Sequence, residues 1–471
     1  MRLWTKNSRE KFKEKKGRLL WATLLCGFIA GFDSTSTFII FPAIRSSLGN
    51  GDTAATTWIL TIVGIVSAAV LLQAGHLADR YGYNRIMITS AGASAAGSLL
   101  SAISPNLPIL VIGRGLQAAA LAGLGVSSIA IIVRETEPGF LATAMGRWAF
   151  WTAAAGVSGP VLSSIFVEYA SWRVLFLSVI PISALVIYLG IPYWNTDHRS
   201  IKKSKIDYLG TFAAMFGISL FVLALLEGND WGWGSPKTVC SFAGGFLFMA
   251  LVTRRSKTHS SPVLPLHVFS NNTFVLSAII GFISSLMFFG MWLALLSYAI
   301  DVWNFSPMKT GLLLTVMPGS MVFIAQPAGR FADKNGFRGV MVGGGIIFTA
   351  GFLATNLAAG VSPSIPAMIP ALIAAGIGMA TILSNTTAVG TQELEPSLVG
   401  TGTAILQTSY RIGGSLGSAV VAAILESGEI GTVNTHKWSL WAIIICGVIT
   451  ALLCSLIKKR PSLHSPNNTT L

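Results

Sequence analysis

Gly75-His76-Leu77-Ala78-Asp79-Arg80-Tyr81-Gly82-Tyr83-Asn84-Arg85 sets acid, base and glycine in a tight turn between two strongly apolar segments. The pattern returns as Gly329-Arg330-Phe331-Ala332-Asp333-Lys334-Asn335-Gly336-Phe337-Arg338, with Gly75, Ala78, Asp79 and Gly82 matched by Gly329, Ala332, Asp333 and Gly336. Self-similarity at a constant offset is the mark of an internal duplication. Around these turns the chain of 471 residues is 52% hydrophobic and only 11% charged, with a mean hydropathy of +0.67. That is too little polar material to cover a globule in water. The composition implies a polytopic membrane protein. No short apolar region with a cleavage site precedes the first long segment, so the first helix is expected to stay in the mature chain.

Segments long enough to cross about 30 Å of hydrocarbon at about 1.5 Å per residue recur along the chain. They divide it into a basic arm (1–18), a first six-helix bundle (19–192), a pair of linker helices with basic loops (193–273), a second six-helix bundle (274–457) and a tail (458–471). The expected fold is all-α and integral to the membrane: two six-helix bundles in parallel repeat plus two inserted central helices, 14 transmembrane helices in all. In each half the duplicated turn joins the second and third helices, as a parallel repeat requires.

The formal charge of +14 raises nucleic acid as a partner, and the placement of the basic residues decides against it. Threading from a cytoplasmic amino terminus puts 24 Lys and Arg on the inside, among them Arg80, Arg85, Lys203 and Arg338, and five on the outside: Arg45, Arg173, Lys237, Lys309 and Lys437. This is the positive-inside bias of a cell-membrane protein with both termini in the cytoplasm. Cys26, Cys240, Cys446 and Cys454 fall in apolar segments and read as small core residues. No G-x-x-x-x-G-K-[ST] stretch is present, which excludes an ATP-driven pump in this chain, and the six histidines are scattered without metal spacing. The sequence implies no catalytic residue, metal, cofactor or obligatory protein partner. The partners it does imply are the bilayer and a small organic substrate.

Several stretches together resemble the major facilitator superfamily, and more narrowly its fourteen-helix drug:proton antiporter branch. Gly75 to Arg85 is similar to the superfamily's signature loop, Gly31-Phe32-Asp33-Ser34-Thr35 through Pro42 to the first-helix motif, and Arg114-Gly115-Leu116-Gln117 to the fourth-helix motif. Gly156-Val157-Ser158-Gly159-Pro160 resembles the antiporter motif of the fifth helix. Ser171-Trp172-Arg173, Ile206 to Gly210 and Pro262 to Leu266 look like this branch as well. The chain departs from the pattern at Ser163-Ser164, where a glycine pair is usual, and at Ala118, where glycine is common. The resemblance implies proton-coupled export of amphipathic or toxic organic compounds by alternating access. It also implies that the duplicated turns latch the cytoplasmic gate. The rival readings are a dedicated exporter of one native metabolite, such as a siderophore or an antibiotic, and a transport-dead membrane sensor. Uptake by symport stays open.

Asp33 leads the candidate site, because an acid deep in an apolar helix costs roughly 2.5 to 3.5 kcal/mol unless it faces a cavity or a partner. Counting residues from the helix ends puts Asp33 at a depth of about 13 Å and Arg114 at about 10 Å, with Gln117 one turn further along. Their pairing would serve either as a proton-coupling element or as a static buried ion pair. Arg411 is a second deep cation that binds an anion, pairs with an acid or snorkels. Asn385 and Asp301 complete the candidate cavity, with interhelical hydrogen bonding as the alternative for Asn385 and plain solvation for Asp301. Asp79 and Asp333 are placed to cap helix amino termini, Arg80, Arg85, Lys334 and Arg338 to bridge between helices, and Gly82 and Gly336 to take the positive φ of a tight turn. Gly156, Gly159 and Pro160, with Gly413, Gly414 and Gly417 in the second half, permit either close packing or bending.

The charge asymmetry fixes an expected topology. A single cysteine placed at position 203 or 338 is expected to resist an impermeant thiol reagent in intact cells and to react in inverted vesicles. Labelling in intact cells would reverse the orientation.

Overall fold

Hydrocarbon offers no hydrogen-bond partners, so a segment that crosses it satisfies its backbone within its own helix. The computed structural model of the chain describes residues 6–48, 53–137, 139–195, 207–259, 262–305, 307–392, 394–426 and 432–458. Within them lie fourteen α-helices: α1 (Lys6–Ser47), α2 (Thr53–Tyr81), α3 (Tyr83–Ala102), α4 (Leu107–Glu135), α5 (Leu141–Tyr169), α6 (Arg173–Gly190), α7 (Tyr208–Trp231), α8 (Pro236–Thr258), α9 (Asn272–Ser297), α10 (Pro307–Asn335), α11 (Phe337–Ala358), α12 (Ile365–Thr391), α13 (Val399–Glu426) and α14 (Val433–Ser455). Twelve of the described helices are long and apolar enough to cross a membrane. The other two, α3 and α13, are long enough but carry so many Gly, Ser and Thr residues that their hydropathy falls short.

Local chemistry explains several starts. Asn106 caps α4 by accepting from Ile109 N at 3.1 Å, and Asn271 caps α9 by accepting from Thr273 N and Phe274 N at 2.9 and 3.1 Å. Asp207 caps α7 through Gly210 N at 2.9 Å and also accepts from Arg255 Nε of α8 at 3.0 Å. One buried carboxylate thus ties the two inserted helices together.

The structure adjusts the sequence reading in three places. The helix of α1 starts at Lys6, inside the expected basic arm, because the Lys, Glu and Arg there are strong helix formers. The second inserted helix, expected over Thr238 to Val252, runs from Pro236 to Thr258. Cys240 is exposed rather than a core residue, while Cys26 and Cys454 are buried, and all four cysteines are free. Arg199, Lys202, Lys203 and Lys205, and the tail beyond Lys458, lie outside the described residues.

In the first half α1 packs on α4, α5 and α6, α4 on α2 and α3, and α3 on α6; in the second, α9 packs on α12, α13 and α14, α12 on α10 and α11, and α11 on α14. The halves meet along two seams, α2 against α13 and α5 against α10. The inserted α7 lies on α2 and α13.

Close helix approach depends on missing side chains. A Cβ added at Gly31 would stand 2.1 Å from Thr152 O, and one at Gly417 would stand 2.1 Å from Leu286 O, which locks α1 to α5 and α9 to α13. At Gly159 it would meet Thr35 Oγ1 at 2.5 Å and Ser36 Oγ at 2.6 Å, whereas at Gly156 the nearest atom is 3.8 Å away. The two motif glycines therefore differ in role. Gly159→Ala is expected to lower stability by roughly 1 to 3 kcal/mol through overpacking. Gly156→Ala is expected to be neutral or to stabilise by up to about 1 kcal/mol, through helix propensity. Thermal unfolding of the two purified variants in one detergent checks the contrast.

Candidate functional site

Arg114 lies almost fully buried on α4, and its guanidinium has partners on three helices, α1, α4 and α6. Nη1 and Nη2 each donate to one oxygen of Asp33 on α1, the second at 3.1 Å. Nη1 also donates to Gln117 Oε1 at 2.9 Å, and Gln117 Nε2 passes the chain on to Ser98 Oγ of α3 at 2.7 Å. The Phe176 ring of α6 lies 5.7 Å from the guanidinium carbon. Nε alone is buried without a partner. A fork of this kind matches a carboxylate bidentately, and the neighbouring amide fixes the arginine from a second side.

Arg411, on α13 of the other half, is half-buried and within the electrostatic field of Asp33. Its guanidinium makes no hydrogen bond or ion pair among the described residues. One carboxylate thus pairs with one guanidinium and acts at longer range on a second from the opposite bundle.

The duplicated turns form a second, paired construction. Gly82 and Gly336 take φ of 104° and 85°, left-handed values that glycine adopts without steric cost. Each turn thereby starts a new helix at once. The aspartate three residues before each glycine reaches across to the opposite half. Asp79 accepts from Gly400 N at 2.8 Å, Thr401 N at 2.7 Å and Thr401 Oγ1 at 2.6 Å, closing the first turn of α13. Asp333 accepts from Ala142 N at 3.0 Å, Thr143 N at 2.8 Å and Thr143 Oγ1 at 2.6 Å, closing the first turn of α5. These are the orphan N–H groups of a helix start, at the positive end of its dipole. Gly75 and Gly329 make the approach possible, since a Cβ there would stand 2.6 Å from Gly400 O and 2.1 Å from Ala142 O. The two constructions differ in one bond: Tyr83 Oη donates to Asp79 at 2.8 Å and reaches Pro396 O at 3.1 Å.

The basic neighbours do other work. Arg85 donates to Trp194 O and Asn195 Oδ1 at 3.0 and 2.7 Å within the first half, and Arg80 stacks on Tyr81 at 5.6 Å. Pro160 lies within an unbroken α5. Asn385 is fully buried and donates back to Thr381 O at 2.7 Å, so it faces no cavity in this state. Asp301 lies on a π-helical turn, Tyr298–Val302, 3.4 Å from His436 Nε2 at the start of α14, apart from the Asp33 network. The sequence reading missed Gly400 and Thr401 with Ala142 and Thr143. The shared small-Thr-small run of Gly400-Thr401-Gly402 and Ala142-Thr143-Ala144 was the available signal.

The family model described as "Major Facilitator Superfamily" matches residues 23–253 and 277–470. The tetracenomycin C resistance and export protein of Streptomyces glaucescens is 26% identical over 424 residues, covering 89% of this chain and 78% of its own. The lincomycin resistance protein of Listeria monocytogenes is 27% identical over 460 residues, covering 93% and 95%. The crystal structure of a human organic anion transporter superposes with a TM-score of 0.68 at 13% identity over 93% of this chain and 99% of that one, a likeness of fold.

Substituting amide for acid keeps the volume and removes the charge that faces the helix dipole. Asp79→Asn is expected to cut transport at least about tenfold with near-normal expression. Asp333→Asn is expected to do less, because it lacks the counterpart of the Tyr83 bond. Uptake into inverted vesicles, normalised to protein, is the measurement, and wild-type transport by Asp79→Asn would defeat the latch.

Proposed function

The chain belongs to the major facilitator superfamily, and on that premise we propose that it is a proton-coupled antiporter of the fourteen-helix branch, exporting amphipathic organic compounds from the cell. In this reading α3 and α13 cross the membrane with the other twelve, because their polar faces are covered by neighbouring helices. The matched packing in the two halves supports a parallel repeat. Both termini and both duplicated turns are cytoplasmic. The printed names of the relatives, resistance and export proteins, support export.

The observation that carries the coupling is the Asp33 carboxylate held by Arg114 within the field of Arg411. A proton on Asp33 leaves two guanidiniums without their shared anion. Breaking a buried pair costs roughly 3 to 5 kcal/mol, close to the 5.5 kcal/mol or so that moves a two-state equilibrium from 1:99 to 99:1. Proton occupancy therefore biases the arrangement of the bundles, and substrate release on one side is tied to proton entry. The two engaged latches hold the cytoplasmic ends together, which favours access from the exterior.

A second reading, the dedicated exporter of one acidic metabolite, is favoured by the excess of two arginines over one carboxylate at the site. A transport-dead sensor would have no need of the complete ion pair and both capping aspartates.

Substrate-induced proton release from the detergent-solubilised protein tests the coupling. Asp33→Asn is expected to bind substrate without releasing protons, and Arg114→Ala to lose both coupling and stability. Proton release by Asp33→Asn equal to that of the parent would move the carrier elsewhere. Accumulation of a panel of cations, anions and siderophores in inverted vesicles under an imposed pH gradient separates broad from dedicated export, and its direction separates antiport from symport.

A further inference from the structure

The two seams between the bundles are built alike, yet only one is covered. Along α2 and α13 the inserted α7 packs on both helices. Along α5 and α10 the helix that packs on both is α12, the counterpart of α4 at the first seam, and among the described residues no inserted helix is added to it. Instead the seam contains a crevice of about 420 Å³ between Ala154, Ser158 and Val161 of α5 and Gly319, Val322 and Phe323 of α10. Val161 and Phe323 are 58% and 77% exposed, while the other face of α5, around Thr152, Ala155 and Gly159, packs on α1. The crevice opens away from the bundle interior, towards the bilayer.

At its foot, on the side of the Gly329 to Arg338 turn, two cations converge. Gln326 is satisfied only with its amide oxygen turned to Arg147 Nε of α5 at 3.1 Å and Arg330 Nη2 of α10 at 3.0 Å. Both arginines are exposed, and neither is paired with a carboxylate among the described residues. Asp333, the nearest acid in sequence to Arg330, is engaged by Ala142 and Thr143. A neutral amide oxygen brings no charge to the two guanidiniums; a phosphate diester brings one negative charge and two free oxygens, one for each of the donor forks that make arginine the preferred partner of phosphate.

Crevice and cations lie on the same faces. Arg147, Ala154, Ser158 and Val161 recur at helical spacing on α5, as do Gly319, Phe323, Gln326 and Arg330 on α10. Ala154 and Phe323 each lie seven residues from the arginine of their helix, about 10 Å along the axis. A headgroup on the arginines would therefore send its acyl chain into the crevice.

We propose that the α5–α10 seam binds one anionic phospholipid, its phosphate on Arg147 and Arg330 and one acyl chain between the two helices. The lipid covers this seam as α7 covers the other, and it bridges the bundles beside the Asp333 cap.

Native mass spectrometry of the protein in neutral detergent, titrated with phosphatidylglycerol, phosphatidylcholine or glycerol 1-phosphate, tests the proposal. The parent is expected to retain one phosphatidylglycerol with a preference of roughly ten- to thirtyfold over phosphatidylcholine, as two basic side chains at one headgroup imply. Arg147→Gln combined with Arg330→Gln is expected to abolish that preference. Gly319→Leu fills the crevice at a position where an added Cβ meets nothing within 4 Å. It is expected to weaken phosphatidylglycerol retention at an unchanged melting temperature, and it decides the matter alone if the double variant does not fold. Equal retention by parent and Gly319→Leu would overturn the proposal. So would glycerol 1-phosphate binding as tightly as the lipid, which would leave only a soluble anion site.

Discussion

A helix start presents unpaired N–H groups and a partial positive charge, and in this protein two such starts are closed by a carboxylate from the opposite bundle. Asp79 does this for α13 and Asp333 for α5. The bonds are short, charge-assisted and geometrically demanding, so they fix where the bundles touch as well as how firmly. Gly75 and Gly329 exist for the same reason, since a side chain at either position would hold the helices apart. The same bonds hold the two bundles together at the starts of α5 and α13.

The helix capped by Asp79 also carries Arg411. From Thr401 to Arg411 is ten residues, about 15 Å of continuous α13. One rigid element thus runs from the latch to the field of Asp33, the acid whose charge the buried network is built to hold. No loop interrupts α13 between Arg411 and the residues that Asp79 caps. The ion pair with Arg114 is costly to bury, so the pair by itself is a weak source of stability.

The inserted helices give the molecule its one marked asymmetry. Gln73 Nε2 of α2 donates to Thr211 O of α7 at 3.1 Å, and Thr61 Oγ1 to Glu227 Oε1 at 3.4 Å, so α7 is seated on the α2 side of the bundle interface. In place of an inserted helix, the equivalent seam at α5 and α10 carries an apolar crevice and a pair of arginines. The two interfaces between the bundles therefore meet different surroundings, an inserted helix at one and, in our proposal, a lipid at the other.

How much could be read from the chain alone follows from the range of the forces concerned. Segment length, hydropathy and the repeated turn are local properties, and they gave the all-helical class with many helices apolar enough to cross a membrane. Residue counting placed Asp33 and Arg114 at similar depths because an α-helix has a fixed rise. The cap partners were beyond such arguments: Asp79 and Thr401 are 322 residues apart, and which helix start faces which acid depends on how the bundles dock. The same limit applies to Asn385 and Asp301, polar residues whose hydrogen bonds run back to Thr381 and across to His436. It applies as well to Arg147 and Arg330, which nothing in the chain connects until the seam brings them onto one oxygen. The sequence determined which groups must be satisfied in the membrane; only the packing of the two bundles decided by which partner.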